Sequence, residues 1–182
     1  MKRIVGVILA ALALAACAET PGGPFAPVPA TAPPPPPPPP PSNPYAFNDA
    51  DFAWSTAVGT GKVVGELAFR SDAAARYTCQ AAVLAPETPW SRARMRKLYL
   101  STTSADIPAE DVKSRTSSEH EAEYARYVRE APCNAAGRFT FSGLPDGAWY
   151  VITVAAPVGG GVRMAVMRRV VTDGQTVRVV LR

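Results

Sequence analysis

Three cysteines, one histidine, and small groups of arginines and tryptophans are where this 182-residue chain has chemistry to offer. His120 stands among Glu119, Glu121 and Glu123. A metal site needs several ligands converging at short range, and one histidine among carboxylates is a poor set, so no metal ligand is assigned. Glu119 and Glu123, four residues apart on a helix, repel each other and read as a solvated face rather than a catalytic carboxylate pair. A cysteine with His120 as its base would make a nucleophile pair, provided the thiol is free, which depends on the compartment. Arg92, Arg94 and Arg96 alternate with Ala93 and Met95. An extended backbone there would put three guanidinium groups on one face, an anion-contacting surface that Arg168 and Arg169 would extend. Trp54 and Trp90 lie outside the clearest strands; exposed, they would stack sugar rings, and buried they would plug the end of a core. The formal net charge of +4 is too mild to argue for nucleic acid. The inventory leaves a candidate binding surface (Arg92, Arg94, Arg96, Trp54, Trp90), no catalytic residue and no cofactor.

The compartment is written at the amino end. Lys2 and Arg3 give a short positive start, Ile4 to Ala13 is apolar apart from Gly6, and small residues Ala15 and Ala16 follow. That is the layout of a secretory signal over 1–16. The run is too short to cross about 30 Å of hydrocarbon with the usual margin. Leu14-Ala15-Ala16-Cys17 resembles the lipobox of bacterial lipoproteins, in which the signal is cut before the cysteine, its thiol carries diacylglycerol and the new amino end is acylated. The resemblance implies lipidation at Cys17 and a membrane partner. Each buried methylene adds about 0.8 kcal/mol, so several acyl chains make a stable tether. Ala18 follows the cysteine in place of the aspartate that often marks inner-membrane retention, which points to the outer membrane, with the chain facing the periplasm.

Residues 17–44 form a linker after the lipidated cysteine. Proline fills Pro33 to Pro41 without a break. Proline lacks the amide donor and fixes φ, so this stretch joins neither a helix nor a central strand. It should run as polyproline II, about 28 Å for the proline run and at most about 80 Å for the whole segment. A spacer holding the folded part off the bilayer is the expectation; a ligand for a proline-reading partner is the alternative.

Residues 45–182 are enough for one domain and short for two. Strand alternation appears at Lys62 to Arg70, Thr78 to Leu84, Arg138 to Ser142, Trp149 to Val154, Val162 to Thr172 and Thr176 to Leu181. Gly65 marks a bulge or a close approach, Leu144-Pro145-Asp146-Gly147 a tight turn, and Asp173-Gly174 a hairpin. Short strands at this spacing predict an all-β antiparallel sandwich. Between them, Trp90 to Glu130 is a polar insertion expected to cover a sheet edge. Its Ser117 to Glu130 is readable as a helix capped by Ser117, with Tyr124, Tyr127 and Val128 as a modest apolar stripe.

The run from Gly137 through Phe139, Phe141, Leu144-Pro145-Asp146-Gly147 and Trp149 to Val151 resembles the signature of carboxypeptidase regulatory-like domains, which are transthyretin-like (prealbumin-like) sandwiches. Val170 to Leu181 resembles that family's closing hairpin, and Gly61 to Gly65 its opening strand. The resemblance implies the fold, with Trp149 on the core face, and carries no shared active site. Transthyretin-like folds include a hydrolase of 5-hydroxyisourate that uses several histidines and a tyrosine-rich C-terminal tail. This chain has a single histidine and ends Val179-Val180-Leu181-Arg182.

With Cys17 lipidated, Cys79 and Cys133 remain as an even pair in an oxidising periplasm, and a disulfide is expected. Closing that loop would stabilise by roughly 4 kcal/mol through chain entropy. The expectation is a non-catalytic envelope lipoprotein whose sandwich serves as an accessory or interaction module for an envelope protein. The alternative is a module that binds a carbohydrate or peptidoglycan.

Overall fold

The computed structural model describes residues 43, 45–70 and 75–182. The signal, Cys17 and the proline run lie outside the described residues. The alternating segments build two sheets. In the smaller sheet β1 (Gly61–Leu67) is central, flanked by β6 (Arg138–Leu144) and β9 (Thr176–Leu181). The larger runs β4 (Ser104–Pro108), β8 (Met164–Thr172), β7 (Gly147–Pro157), β3 (Ala81–Pro86) and β5 (Arg129–Pro132), and the short β2 (Tyr77–Thr78) also pairs with β7.

Side chains of period two fill the space between the sheets. Val63 of β1, Phe139 and Phe141 of β6, Val179 and Leu181 of β9 meet Leu84, Trp149, Val151, Val166 and Val170 from the larger sheet. Each large apolar side chain buried there contributes about 1.5–3 kcal/mol. Trp149 is fully buried, and its indole N–H donates to Thr172 Oγ1 at 3.1 Å. Gly65 is a close approach: a Cβ there would lie 2.0 Å from the Phe139 ring. The irregular register in β1 falls between Gly61 and Lys62 instead.

Three expectations are corrected. The sandwich is not wholly antiparallel, because β9 pairs with β1 in parallel register, Val63 opposite Val177 and Leu67 opposite Leu181. Asp173-Gly174 is accordingly no hairpin. It carries the chain from β8 in one sheet to β9 in the other, where Val179 and Leu181 reach the same core from the opposite side. The span Thr78 to Leu84 is interrupted at Cys79 and Gln80, so β2 and β3 are separate strands. Cys79 bonds to Cys133, with Cα atoms 5.8 Å apart. The bridge ties the end of β2 to the residue after β5, while Cys133 N–H donates to the Gln80 carbonyl at 2.8 Å.

The insertion does more than cover an edge. It supplies both edge strands of the larger sheet, β4 and β5, and a helical layer over that sheet's outer face. Helix α1 (Pro89–Tyr99) starts at Thr88, whose side chain accepts from Ser91 N–H while the Ser91 hydroxyl accepts from Thr88 N–H. That reciprocal box, with proline in the first turn, fixes the start. Leu100, at φ 58, ends it. Ser91, Met95, Leu98 and Tyr99 are buried, the spacing of one helical face. Met95, Leu98 and Tyr99 pack with Ala85, Tyr150, Ala165 and Met167 of the sheet, Phe52 of a 3-10 helix (Asp49–Thr56), and Tyr124. A short α2 (Ala109–Arg115) follows β4. The helix expected from Ser117 to Glu130 shrinks to α3 (Glu121–Ala125). Its cap position is His120 in the left-handed region at φ 56, and Ser117 instead accepts from the Glu119 N–H. Arg129 and Glu130 belong to β5, paired with Leu84 and Val83. No helix among the described residues is long and apolar enough to cross a membrane.

Candidate functional site

The helix re-sorts the arginines. At 100° per residue, positions two apart point to different sides, so Arg92, Arg94 and Arg96 do not form the single guanidinium face that an extended chain would give. Arg92 pairs with Glu87 at 2.5 Å. Arg94, with its side chain only 12% exposed, pairs with Glu121 at 2.7 Å and lies over the rings of Trp90 and Tyr124, 5.5 Å from each centroid. Arg96 is exposed.

Arg168 and Arg169 do not join them in an anion surface either. Arg169 Nε donates to Glu87 Oε2 at 2.6 Å, and Arg168 donates to the carbonyls of Met167 and Arg182. Glu87, whose side chain is 5% exposed, gathers Arg92, Arg169 and the hydroxyl of Tyr150, which donates to Oε1 at 3.0 Å. Nothing in the sequence marks Glu87. Its partners come from α1, β7 and β8, and the four groups form a structural knot at the start of α1.

The two tryptophans part company. Trp54 packs edge-on against Trp149 at 4.9 Å, and a Cβ on Gly147 would lie 2.2 Å from its ring. It plugs the end of the inter-sheet core. Trp90 belongs to the cluster over the other face of the larger sheet, with Phe47 at 5.2 Å and Tyr124 at 4.9 Å.

Trp90, Arg94 and Lys97 form one row on α1, at i, i+4 and i+7. The row makes one wall of a cleft of about 440 Å³. Tyr45, 57% exposed, Phe47, Glu119 and His120 are also in the lining. The His120 ring stacks on Phe47 at 5.0 Å, nearly parallel. Three separate segments (43–47, 90–97 and 117–120) therefore meet here.

Beneath the cleft, burial raises the hydroxyl pKa of Tyr124 far above its ordinary value and pushes that of Tyr99 up to about 12. Both phenols stay neutral, so the charge of Arg94 is answered by Glu121. The Tyr124 hydroxyl is buried and makes no hydrogen bond among the described residues.

The cleft offers aromatic faces, a cation and polar groups. Both sulfurs are spent on the disulfide, and His120 faces aromatic rings and a carboxylate 3.7 Å away. Among the described residues, no group of three or more His, Cys, Asp or Glu side chains converges as a metal site would require.

Comparison with known proteins gives a fold and no family. No family model matches the chain, and no curated protein matches it. Among solved structures, a chain from Pseudomonas aeruginosa described as a "putative carbohydrate binding protein" is similar, with a TM-score of 0.52 and 23% identity. The match covers 74% of this chain and 96% of that one, a likeness of two-sheet β architecture.

Proposed function

We propose that this protein is a lipoprotein of the bacterial envelope, anchored through Cys17 to the outer membrane and facing the periplasm. Its transthyretin-like sandwich, of the carboxypeptidase regulatory-like kind, is a non-catalytic module that binds another envelope component. The observation that carries the reading is the cleft between Tyr45 and Trp90. It is lined by rings, a lysine and an ion-paired arginine, and its His120 ring is stacked on Phe47. Tyr45 and Phe47 come directly after the linker in the chain, so the spacer and the binding groups follow one another in sequence. The second reading, that the component is a carbohydrate, is favoured by the description of the Pseudomonas aeruginosa structure.

The test is crosslinking in intact cells from a photoreactive residue at Ala46, on the cleft wall. The proposal expects a discrete envelope component, lost when the photoreactive residue is moved to exposed Arg178 in the smaller sheet. No adduct at Ala46, or the same adducts from both positions, would overturn it.

A further inference from the structure

We propose that the cleft between Tyr45 and Trp90 binds an acidic glycan, with sugar rings lying on its aromatic walls and a sugar carboxylate meeting Lys97. The proposal rests on the reading of the folded part as a binding module and names the ligand of that module.

Helix α1 carries Arg92, Arg94, Arg96 and Lys97 and no acidic residue. Glu87 answers Arg92, and Glu121 answers Arg94. Lys97 and Arg96 form no ion pair among the described residues. Of these two, Lys97 lines the cleft, one turn beyond Arg94 on the Trp90 row. The one carboxylate in the lining, Glu119, sits beside His120. An unanswered cation on a partly enclosed surface, next to the ion-paired Arg94, favours an anion by field as well as by contact.

Shape then selects among anions. The walls are aromatic: Tyr45 with a largely exposed side chain, and Phe47 and Trp90 half-buried. Flat apolar faces beside polar tips match a pyranose, which presents C–H groups on its faces and hydroxyls around its rim. The cleft's 440 Å³ lies in the range of small-ligand sites, about 300–1,000 Å³. A bare phosphate or an isolated acidic side chain would leave the rings unused. Arg94 is better described as a positioning residue: its ion pair with Glu121 holds the guanidinium over Trp90 and orients that ring.

Calorimetry on the full-length chain in detergent micelles tests this with two matched probes. One is the glycan strand of peptidoglycan with its peptides removed, which bears one lactyl carboxylate per disaccharide. The other is a chito-oligosaccharide, which has the same backbone linkage and no carboxylate. The strand should bind about tenfold more tightly. Lys97→Gln should remove that preference and leave the chito-oligosaccharide unchanged, while Tyr45→Ala should weaken both by about tenfold. Both side chains are exposed, so neither variant disturbs the core.

Binding of neither probe overturns the glycan assignment and leaves the interaction module to stand or fall on the crosslinking. Equal binding of both, or a preference that survives Lys97→Gln, overturns the acidic part. Affinity unchanged by Tyr45→Ala places the site elsewhere, and poly-L-glutamate binding as tightly as the strand would make the partner an acidic peptide instead.

Discussion

Glu87 is the residue whose role is least visible in the sequence and most exposed to test. Its carboxylate is nearly buried, with two guanidinium groups and one phenol aimed at it. Removing one partner of such a group leaves the others desolvated and unpaired, at a cost of several kcal/mol when all are buried. Here Arg92 is half exposed and Arg169 a third exposed, which softens the penalty through solvent. Glu87→Ala should lower stability by about 2–3 kcal/mol in urea unfolding. Glu110→Ala, which breaks a pair with Lys113 that is about 80% exposed on both sides, should cost under about 0.5 kcal/mol. Equal effects from the two substitutions would contradict the knot described around Glu87.

At the scale of elements, the disulfide bears on the insertion. Cys79 and Cys133 are 54 residues apart, and between them lie β3, α1, β4, α2, α3 and β5. Chain entropy sets the stabilisation at up to about 4 kcal/mol. Replacing both cysteines with alanine should lower the unfolding free energy from urea titration by an amount approaching that figure, and an unchanged value would contradict it.

The elements also separate what was legible from what was not. Phe139, Phe141, Trp149 and Val151 alternate cleanly, and the strands they predict are present. The β8–β9 junction misled because turn chemistry at Asp173-Gly174 fixes a local bend and says nothing about which sheet receives the next strand. Helix α1 was hidden because its buried row of Ser91, Met95, Leu98 and Tyr99 is diluted by arginines whose alternation imitates a strand. Trp90 and Arg94 stand out in the sequence by residue type. That Tyr45, Lys97 and His120 line the same cleft was not legible, since segments far apart in sequence meet only once α1 is docked on the sheet.

For the whole molecule, the proposed function depends on position as much as on the cleft. On the proposed reading, the sandwich would serve the envelope only where its tether holds it, and the lipobox-like Leu14-Ala15-Ala16-Cys17 would set the address. Several acyl chains on Cys17 would anchor the chain stably where one would not. The proline run would then keep the cleft clear of the headgroups. The most direct test is the mass of the mature amino-terminal peptide from membrane-purified full-length protein. The account predicts a chain beginning at Cys17 with diacylglycerol on sulfur and an acylated amino group. A Cys17→Ser variant should leave the membrane fraction with its sandwich folded. A mature protein that begins elsewhere, or that keeps Cys17 as an unmodified thiol, would contradict it.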